Sequence, residues 1–207
     1  METDMPVRTR RQMYAEQTRL ALLDNALDAF VRDGYYATSI DAITSRTLVS
    51  KGALYRHFPD KKSLFLELFT TLLHEAADRI DAAADSLAST PRGGGPHVAA
   101  ACAFDFAQRS LDDSAHRELL RQAPEVLGER TYTELDDKIV LPPLVRLLET
   151  LASRGELADG VPVPTTARLF LRALCAANTI IARADDREAA LAETTTALSL
   201  FFTGITA

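Results

Sequence analysis

Apolar residues recur every three or four positions along most of the chain, and this spacing constrains the fold more than any other feature. Such spacing places apolar side chains along one side of a helix, whereas a half-buried strand needs strict alternation, which we do not find. The clearest run comprises Leu20, Leu23, Leu27, Phe30 and Val31 and stops at Gly34. The pattern predicts an all-α protein of about nine helices.

Capping and turn residues divide this pattern into helices. The first helix is expected over roughly 16–33, and Thr38, three residues before Asp41, predicts a capping box that opens a short second helix. Ser50 can cap a short third helix, which must end before Pro59. A long fourth helix follows over about 61–88. Further patterns, separated by the breakers of 90–96 and interrupted or kinked at Pro124, Pro142 and Pro143, cover about 97–111, 115–123, 131–154, 164–184 and 187–202.

Charge is distributed unevenly along the 207 residues, which carry a formal net charge of −6. Residues 1–62 have ten Lys and Arg against eight Asp and Glu, whereas residues 63–207 have thirteen against twenty-one. Only the N-terminal third therefore suits a polyanionic partner. We predict two domains, a DNA-binding domain over 15–62 and a second helical domain over 63–207.

Several classes of protein are disfavoured by what the sequence contains. No apolar run is long enough to span a membrane and the N-terminus lacks the apolar stretch of a signal peptide, so a cytoplasmic protein without membrane contact is expected. Cys102 and Cys175 are isolated, and the histidines lie far apart, so neither a metal site nor a cofactor is predicted. The sequence contains neither a nucleophile paired with a base nor a pair of carboxylates in a catalytic arrangement, so an enzyme is not predicted.

Two short helices joined by a tight turn are typical of a helix-turn-helix, and the residues around them favour DNA as the partner. Gly52 lies inside the third helix, where glycine costs about 0.5–1 kcal/mol of helix stability relative to alanine. A backbone that must approach DNA closely would justify this cost. Lys51, Lys61 and Lys62 occupy first helical turns, where the helix dipole disfavours cations and a nearby phosphate would reverse the sign.

Four further side chains offer hydrogen-bond donors of the kind that supplement Lys and Arg at phosphates: Thr38, Ser50, Tyr55 and His57. Alternatives remain for several positions. Thr38 can be only a helix cap, Tyr55 a packed aromatic and Lys62 a solvated charge, while Leu54 and Phe58 are expected in the core. A basic stretch containing Arg8, Arg10 and Arg11 is either a minor-groove arm or an ordinary charged terminus.

The stretch Leu20–Phe69 resembles the DNA-binding domain of the tetracycline-repressor (TetR) family, most plainly in AFVRDGYYATSIDAI and VSKGALYRHFPDKKSLF. The resemblance implies that the third helix reads the major groove and that a C-terminal helical domain dimerises and binds a ligand. It places Thr47, Ser50, Lys51, Ala53 and Tyr55 at the DNA surface, with His57 and Lys61 holding phosphates. One departure is Thr47-Leu48-Val49 in the turn, where the family usually has alanine-glycine-valine; a left-handed Leu48 would store about 1–2 kcal/mol.

The last two helices are expected to form a dimer interface, or else the core of a single subunit. The residues concerned are Leu169, Phe170, Ala173, Leu174, Ala177 and Ile181, followed by Leu191, Leu198, Phe201, Phe202 and Ile205. A pocket for a small hydrophobic or amphipathic effector is expected among the middle helices. Its walls would be Phe104, Phe106, Leu119, Tyr132, Leu144 and Leu147, with Asn178 or Arg172 as a polar anchor.

Together these features predict a homodimeric transcriptional regulator, a repressor that a small molecule releases from a palindromic operator in double-stranded DNA. The alternative is an all-α small-molecule-binding or dimerisation protein without specific DNA binding.

Overall fold

The computed structural model describes residues 10–45 and 49–207, and these residues form ten α-helices joined by short connections. The helices are α1 (Arg10–Asp33), α2 (Ile40–Ser45), α3 (Lys51–His57), α4 (Lys61–Ser86), α5 (Gly95–Asp112), α6 (Ser114–Leu127), α7 (Glu129–Ile139), α8 (Leu141–Ser153), α9 (Val163–Arg183) and α10 (Arg187–Thr203). The only pairing of extended backbone in the described residues is one isolated antiparallel bridge between Leu157 and Thr206. The all-α prediction is confirmed.

The helices differ from the sequence prediction at two proline positions. The pattern over 131–154 forms two helices rather than one, because the chain turns at Val140 and Pro142 lies in the first turn of α8. Pro124 does not interrupt its helix: α6 continues past it and ends at Gly128, whose φ of 89° is left-handed. Pro124 has no N–H, so α6 lacks the backbone hydrogen bond that this position would otherwise donate one turn back.

The chain divides into two compact units, Met1–Leu68 and Phe69–Ala207, and α4 begins in the first and continues in the second. In the first unit, α1 buries Leu22, Leu23, Ala26, Ala29 and Phe30. Leu20 is 49% exposed, so the buried face is rotated from the predicted stripe. Periodicity alone could not separate the two overlapping stripes, because the alanines that allow close helix packing are weakly apolar.

Gly34 ends α1 as predicted. Its φ is 81°, and its N–H donates to the Phe30 carbonyl at 3.1 Å, which closes the last turn. Beyond it the Tyr35 ring lies 5.4 Å from the Phe30 ring and 5.5 Å from the Phe65 ring. This aromatic cluster joins the end of α1 to α4 within the first unit.

In the second unit, α9 packs against α5, α6, α8 and α10. Phe170, Leu174, Ala177 and Ile181 are each at most 6% exposed. Most of the α9 stripe assigned from the sequence to a dimer interface is therefore the interior of the unit, as in the alternative prediction. A helix packed against four others must bury most of its circumference, which the sequence of one helix does not show.

The connection between α4 and α5, expected to be a plain loop, is held by two charged side chains. Arg154 donates to the carbonyls of Leu87 (2.6 Å), Thr90 (3.0 Å) and Pro91 (3.0 Å). Glu156 is 5% exposed and accepts from the Gly93 N–H at 2.7 Å. These contacts satisfy backbone groups that a loop otherwise leaves to water.

Candidate nucleic-acid interface

Helices α2 and α3 are anchored by apolar side chains that leave one face of α3 in solvent. Ile43 and Leu54 are 0% exposed and Phe58 is 3% exposed, which confirms the core assignment of Leu54 and Phe58. The opposite face of α3 presents Lys51, Gly52, Tyr55 and Arg56, all exposed. These positions follow the i, i+1, i+4, i+5 spacing of one helical face. The result is a short helix with a polar, aromatic and basic surface.

Ser50 begins α3 as the sequence predicted. It has extended backbone (φ −69°, ψ 152°), and its Oγ accepts from the Ala53 N–H at 3.2 Å. The residue is exposed, so its hydroxyl faces solvent at the start of the helix. Ser50 and the half-buried Ala53 therefore lie at the same end of the exposed face.

Gly52 is not required by the fold of the unit. A Cβ built on it would meet only the Ser50 Oγ, at 3.9 Å, and its backbone is helical. Neither crowding nor a left-handed φ explains a glycine here. Within this unit, neither packing nor backbone conformation therefore requires the glycine.

Lys51 is paired with Asp41 of α2, although both side chains are more than half exposed. The hydrogen bond and charge of Asp41 raise the pKa of Lys51, so the ammonium is retained. An exposed pair of this kind is weak and exchangeable. Lys51 can therefore leave Asp41 for a phosphate or a base edge at small cost.

Lys61 lies in a different environment from the one expected of a free phosphate ligand. Its Nζ donates to the carbonyls of Tyr35 (2.6 Å) and Thr38 (2.7 Å) and sits 4.2 Å from the centre of the Tyr35 ring. Desolvation lowers the pKa of this ammonium. Lys61 thus ties the α1–α2 connection to the start of α4, a role that its position in the sequence did not reveal.

Thr38 is not the cap of α2, so the capping-box prediction was wrong. The residue is 2% exposed, and its Oγ1 donates to the carbonyls of Gly34 (2.8 Å) and Ala29 (3.2 Å). Ser39 caps α2 instead, since its Oγ accepts from the Ala42 N–H at 3.0 Å. The Thr38 hydroxyl supports the end of α1 and is turned away from solvent.

The remaining predicted residues are distributed around α3. Tyr55 is 53% exposed and projects from the polar face, and His57 is half-buried with its ring 6.5 Å from the Phe58 ring. Thr47 and Leu48 lie outside the described residues. Arg56 is also exposed on this face, although it was not among the predicted DNA-binding residues. Its spacing of four residues from Gly52 already indicated that the two share one side of α3.

The second unit contains an apolar cleft of about 580 Å³, counted with its solvent-open mouth. Three of the predicted wall residues, Phe106, Leu144 and Leu147, line it. Phe104 lines a neighbouring groove. Arg172 is occupied elsewhere, donating to Asp136 at 3.1 Å and to Asp137 at 2.6 Å. Leu119 and Tyr132 are buried outside the cleft lining.

Neither a membrane helix nor a metal cluster is found within the part of the chain that the structure describes. None of its helices is long and apolar enough to cross a bilayer. No three His, Cys, Asp or Glu side chains lie close enough together there to hold a metal ion.

The two units define a class of protein: a helix-turn-helix DNA-binding domain followed by a larger helical domain with an apolar cleft. The family described as "Bacterial regulatory proteins, tetR family" matches residues 22–68. The "Tetracyclin repressor-like, C-terminal domain" matches residues 97–205, just over half of the chain. The chain therefore belongs to the TetR family of DNA-binding transcriptional regulators.

Individual relatives agree with this assignment. An HTH-type transcriptional regulator of Bacillus subtilis, YhgD, is 40% identical over 62 residues, which span 30% of this chain and only 32% of that protein. A TetR-family transcriptional regulator from Pectobacterium atrosepticum has a similar structure, with a TM-score of 0.77, 28% identity and coverage of 96% of this chain and 98% of that one. SmeT, the repressor of a Stenotrophomonas maltophilia multidrug efflux pump, shares the fold at a TM-score of 0.69 and 19% identity, covering 93% and 92% of the two chains.

Proposed function

We propose that this protein is a cytoplasmic repressor that binds a palindromic operator as a homodimer and leaves it when a small hydrophobic or amphipathic effector fills the second unit. The observation that carries the DNA-binding part is the exposed face of α3, where Gly52 is required by neither packing nor backbone conformation. A helix that is held from behind by Leu54 and Phe58 is rigid enough to enter a major groove.

The α3 face supplies the chemical groups for such a contact. Ser50, Lys51, Ala53 and Tyr55 would face base edges or the adjacent backbone, and Arg56 adds a bidentate donor for phosphate or guanine. We assign Thr38 and the carbonyl contacts of Lys61 to the support of this surface, with His57 at its edge. Thr47 stays with the predicted DNA-facing set on the strength of the family resemblance.

Homodimerisation is supported by apolar side chains that the second unit leaves in solvent. Leu169 and Ile180 on α9 are 57% and 54% exposed, and Leu200 on α10 is 70% exposed. The Phe170 and Phe201 rings stack at 5.7 Å, so the start of α9 lies beside the end of α10, and Leu169 and Leu200 each precede a stacked ring by one residue. We place the dimer interface on these exposed faces.

Effector release is supported by the path of α4. Lys61 begins this helix in the first unit, and Ala76, Arg79 and Ile80 of the same helix line the apolar cleft. A ligand that prefers one position of α4 would change the population of the DNA-competent dimer. The ligand would weaken operator binding by as much as its affinity differs between the DNA-competent dimer and the other conformation.

Selection of bound duplexes from a random library by the full-length protein tests the proposal. We expect enrichment of an inverted repeat whose half-sites lie about one helical turn, or a multiple of it, apart. Arg56→Ala should weaken binding to the selected duplex. Arg187→Ala is the matched control, because it removes the same charge from an exposed position at the start of α10.

Enrichment of no sequence would contradict the proposal and favour a binding or dimerisation protein without specific DNA recognition. Equal losses in Arg56→Ala and Arg187→Ala would show that only overall charge matters. A reporter gene placed behind the selected sequence determines the sign of regulation, and increased transcription in the presence of the protein would contradict repression.

A further inference from the structure

The apolar cleft of the second unit has few groups that could orient a ligand. Its walls include Ile80, Phe106 and Leu174, and its charged lining residues, Arg79 and Asp105, are paired with each other at 2.8 Å. An apolar surface of this kind binds many compounds and distinguishes few of them. Selectivity therefore has to come from polar groups at an end of the cleft.

Three buried polar side chains lie within one helical turn of cleft-lining residues or in contact with one of them. Ser110 of α5, His116 of α6 and Asn178 of α9 are 0%, 4% and 3% exposed. The Ser110 Oγ donates to the Asn178 Oδ1 at 2.5 Å. Ser110 and Asn178 each follow a cleft-lining residue, Phe106 and Leu174, by one helical turn.

Two atoms of this cluster have no hydrogen-bond partner among the described residues: His116 Nε2 and Asn178 Nδ2. Buried polar atoms are nearly always paired, because leaving them unpaired costs free energy. An unpaired polar atom in a protein interior is usually explained by a bound water, ion or ligand. A ligand group that reached both would recover the missing hydrogen bonds.

Phe106 lies between the cleft and the cluster. Its ring lines the cleft, and the same ring meets the His116 imidazole edge to face with 5.5 Å between centroids. The Phe106 ring therefore separates the cleft from the His116 imidazole, and a change in its two side-chain torsions would be needed to open a path between them.

We infer that the cleft binds a neutral molecule with an apolar body and one hydroxyl group, and that the hydroxyl reaches the Ser110–His116–Asn178 cluster past Phe106. The hydroxyl oxygen accepts from the Asn178 Nδ2, and its hydrogen is donated to the His116 Nε2. This inference rests on the proposed effector function and adds the chemical class of the ligand.

The charge of the ligand follows from the cluster and the cleft together. Burial and the nearby charge of Arg109 lower the pKa of His116 to about 4, so the imidazole is neutral near pH 7 and its unprotonated nitrogen accepts a hydrogen bond. Burying a carboxylate in the apolar cleft costs more free energy than burying a hydroxyl, and the lining cation Arg79 is already paired with Asp105. The cation beside the cluster is Arg117, which donates to the Ser110 carbonyl at 3.0 Å and has a buried Nε without a partner. We expect the cleft to favour a hydroxyl over an anion of the same shape.

Calorimetric titration of the full-length protein with matched probes tests this inference. The probes are 4-propylphenol, propylbenzene, 4-propylanisole and 4-propylbenzoate, which share one apolar body. We expect the phenol to bind at least about tenfold more tightly than propylbenzene, as two recovered hydrogen bonds allow. The anisole, which cannot donate, should lie between them, and the benzoate should bind more weakly than the phenol.

Variants locate the preference in the cluster. Asn178→Leu and His116→Phe should each reduce the phenol's advantage over propylbenzene several-fold while propylbenzene binding is kept. Tyr132→Phe is the control, because Tyr132 is a buried polar residue of the same unit that does not line the cleft. Thermal melting monitors folding of each variant, and if one of the two fails to fold, the other decides.

Equal binding of phenol and hydrocarbon by the unmodified protein would overturn the inference, as would a preference that persists in both variants. Binding of none of the four probes at their solubility limits would also overturn it. Failure of the proposed function looks different: the phenol binds with the expected preference, but operator binding is absent or insensitive to it.

Discussion

At the scale of single residues, Gly52 offers the sharpest test because its effects on folding and on binding should have opposite signs. Gly52→Ala adds a Cβ that meets only the Ser50 Oγ, at 3.9 Å, so the helix should gain about 0.5–1 kcal/mol of stability. The same Cβ would stand between α3 and the groove, and operator affinity should fall at least about tenfold, or 1.4 kcal/mol. Denaturant unfolding and DNA titration measure the two. A variant that is more stable and binds DNA unchanged would remove the reason offered for the glycine.

Replacing Lys61 distinguishes two possible roles of its side chain: support of the helix-turn-helix and direct contact with DNA. Lys61→Met removes the Nζ hydrogen bonds to the Tyr35 and Thr38 carbonyls, and we expect the free energy of unfolding to fall by about 1–3 kcal/mol. If Lys61 also neutralises a phosphate, the salt dependence of DNA binding, log K against log salt concentration, should become shallower by about one unit. Loss of stability with an unchanged salt slope assigns Lys61 to support alone, and a shallower slope without loss of stability would contradict the structural role.

His116 predicts a dependence of stability on pH. Burial lowers its pKa to about 4, from an ordinary value of 6.5, so between these values the unfolded chain binds a proton that the native state does not. Protonation of His116 should therefore lower the free energy of unfolding by up to about 3 kcal/mol as the pH falls from about 6.5 to about 4. Above pH 7 this residue should contribute no dependence of stability on pH. His116→Phe should remove that part of the slope in urea unfolding across the pH range. Replacing the exposed His74 by phenylalanine should retain it.

At the scale of elements, the exposed sides of α9 and α10 carry the expected dimer contact. Leu200→Glu places a charge on a 70% exposed position and should shift the protein toward monomer in sedimentation measurements, at little cost to folding. Leu20→Glu, at a 49% exposed position of α1, is the control and should leave the association unchanged. A Leu200→Glu protein that associates as strongly as the unmodified one would exclude this face as the interface.

The support of α2 and α3 shows how elements depend on side chains outside them. Thr38 and Lys61 both hold carbonyls at the end of α1 or in the connection that follows it, and neither belongs to α2 or α3. The orientation of the exposed α3 face thus depends on hydrogen bonds made beyond the two short helices. Substitutions there should act on DNA binding through position rather than through direct contact.

At the scale of the whole molecule, effector and operator must influence each other equally. If a ligand weakens operator binding by a given factor, the operator must weaken ligand binding by the same factor, typically equivalent to about 1–3 kcal/mol. Titrating 4-propylphenol into free protein and into its operator complex, and titrating operator in the presence and absence of the phenol, measures both factors. A compound that binds the second unit while both ratios stay at one would have no effector role.

The extent of prediction from sequence differs between the fold and the candidate site. Helical spacing, Gly34 and Ser50 predicted the all-α class and the short helices correctly, because spacing and backbone preference are local properties. The exposed positions of Lys51, Gly52 and Tyr55 could likewise be anticipated from one helical face. Whether these residues contact DNA stays a prediction.

What the sequence determined alone was therefore the all-α class, the short helices α2 and α3, and the family to which the chain belongs. The tertiary structure decided which side chains are buried and which groups they bond. On α9, most of the predicted stripe lies in the core, while Leu169 and Ile180 are exposed. The Thr38 hydroxyl and the Lys61 ammonium donate to backbone carbonyls. It also brought Ser110 of α5 and Asn178 of α9 together and set His116 of α6 against Phe106. The physical reason is that burial and hydrogen-bond partners depend on segments far away in the chain, which local spacing does not encode.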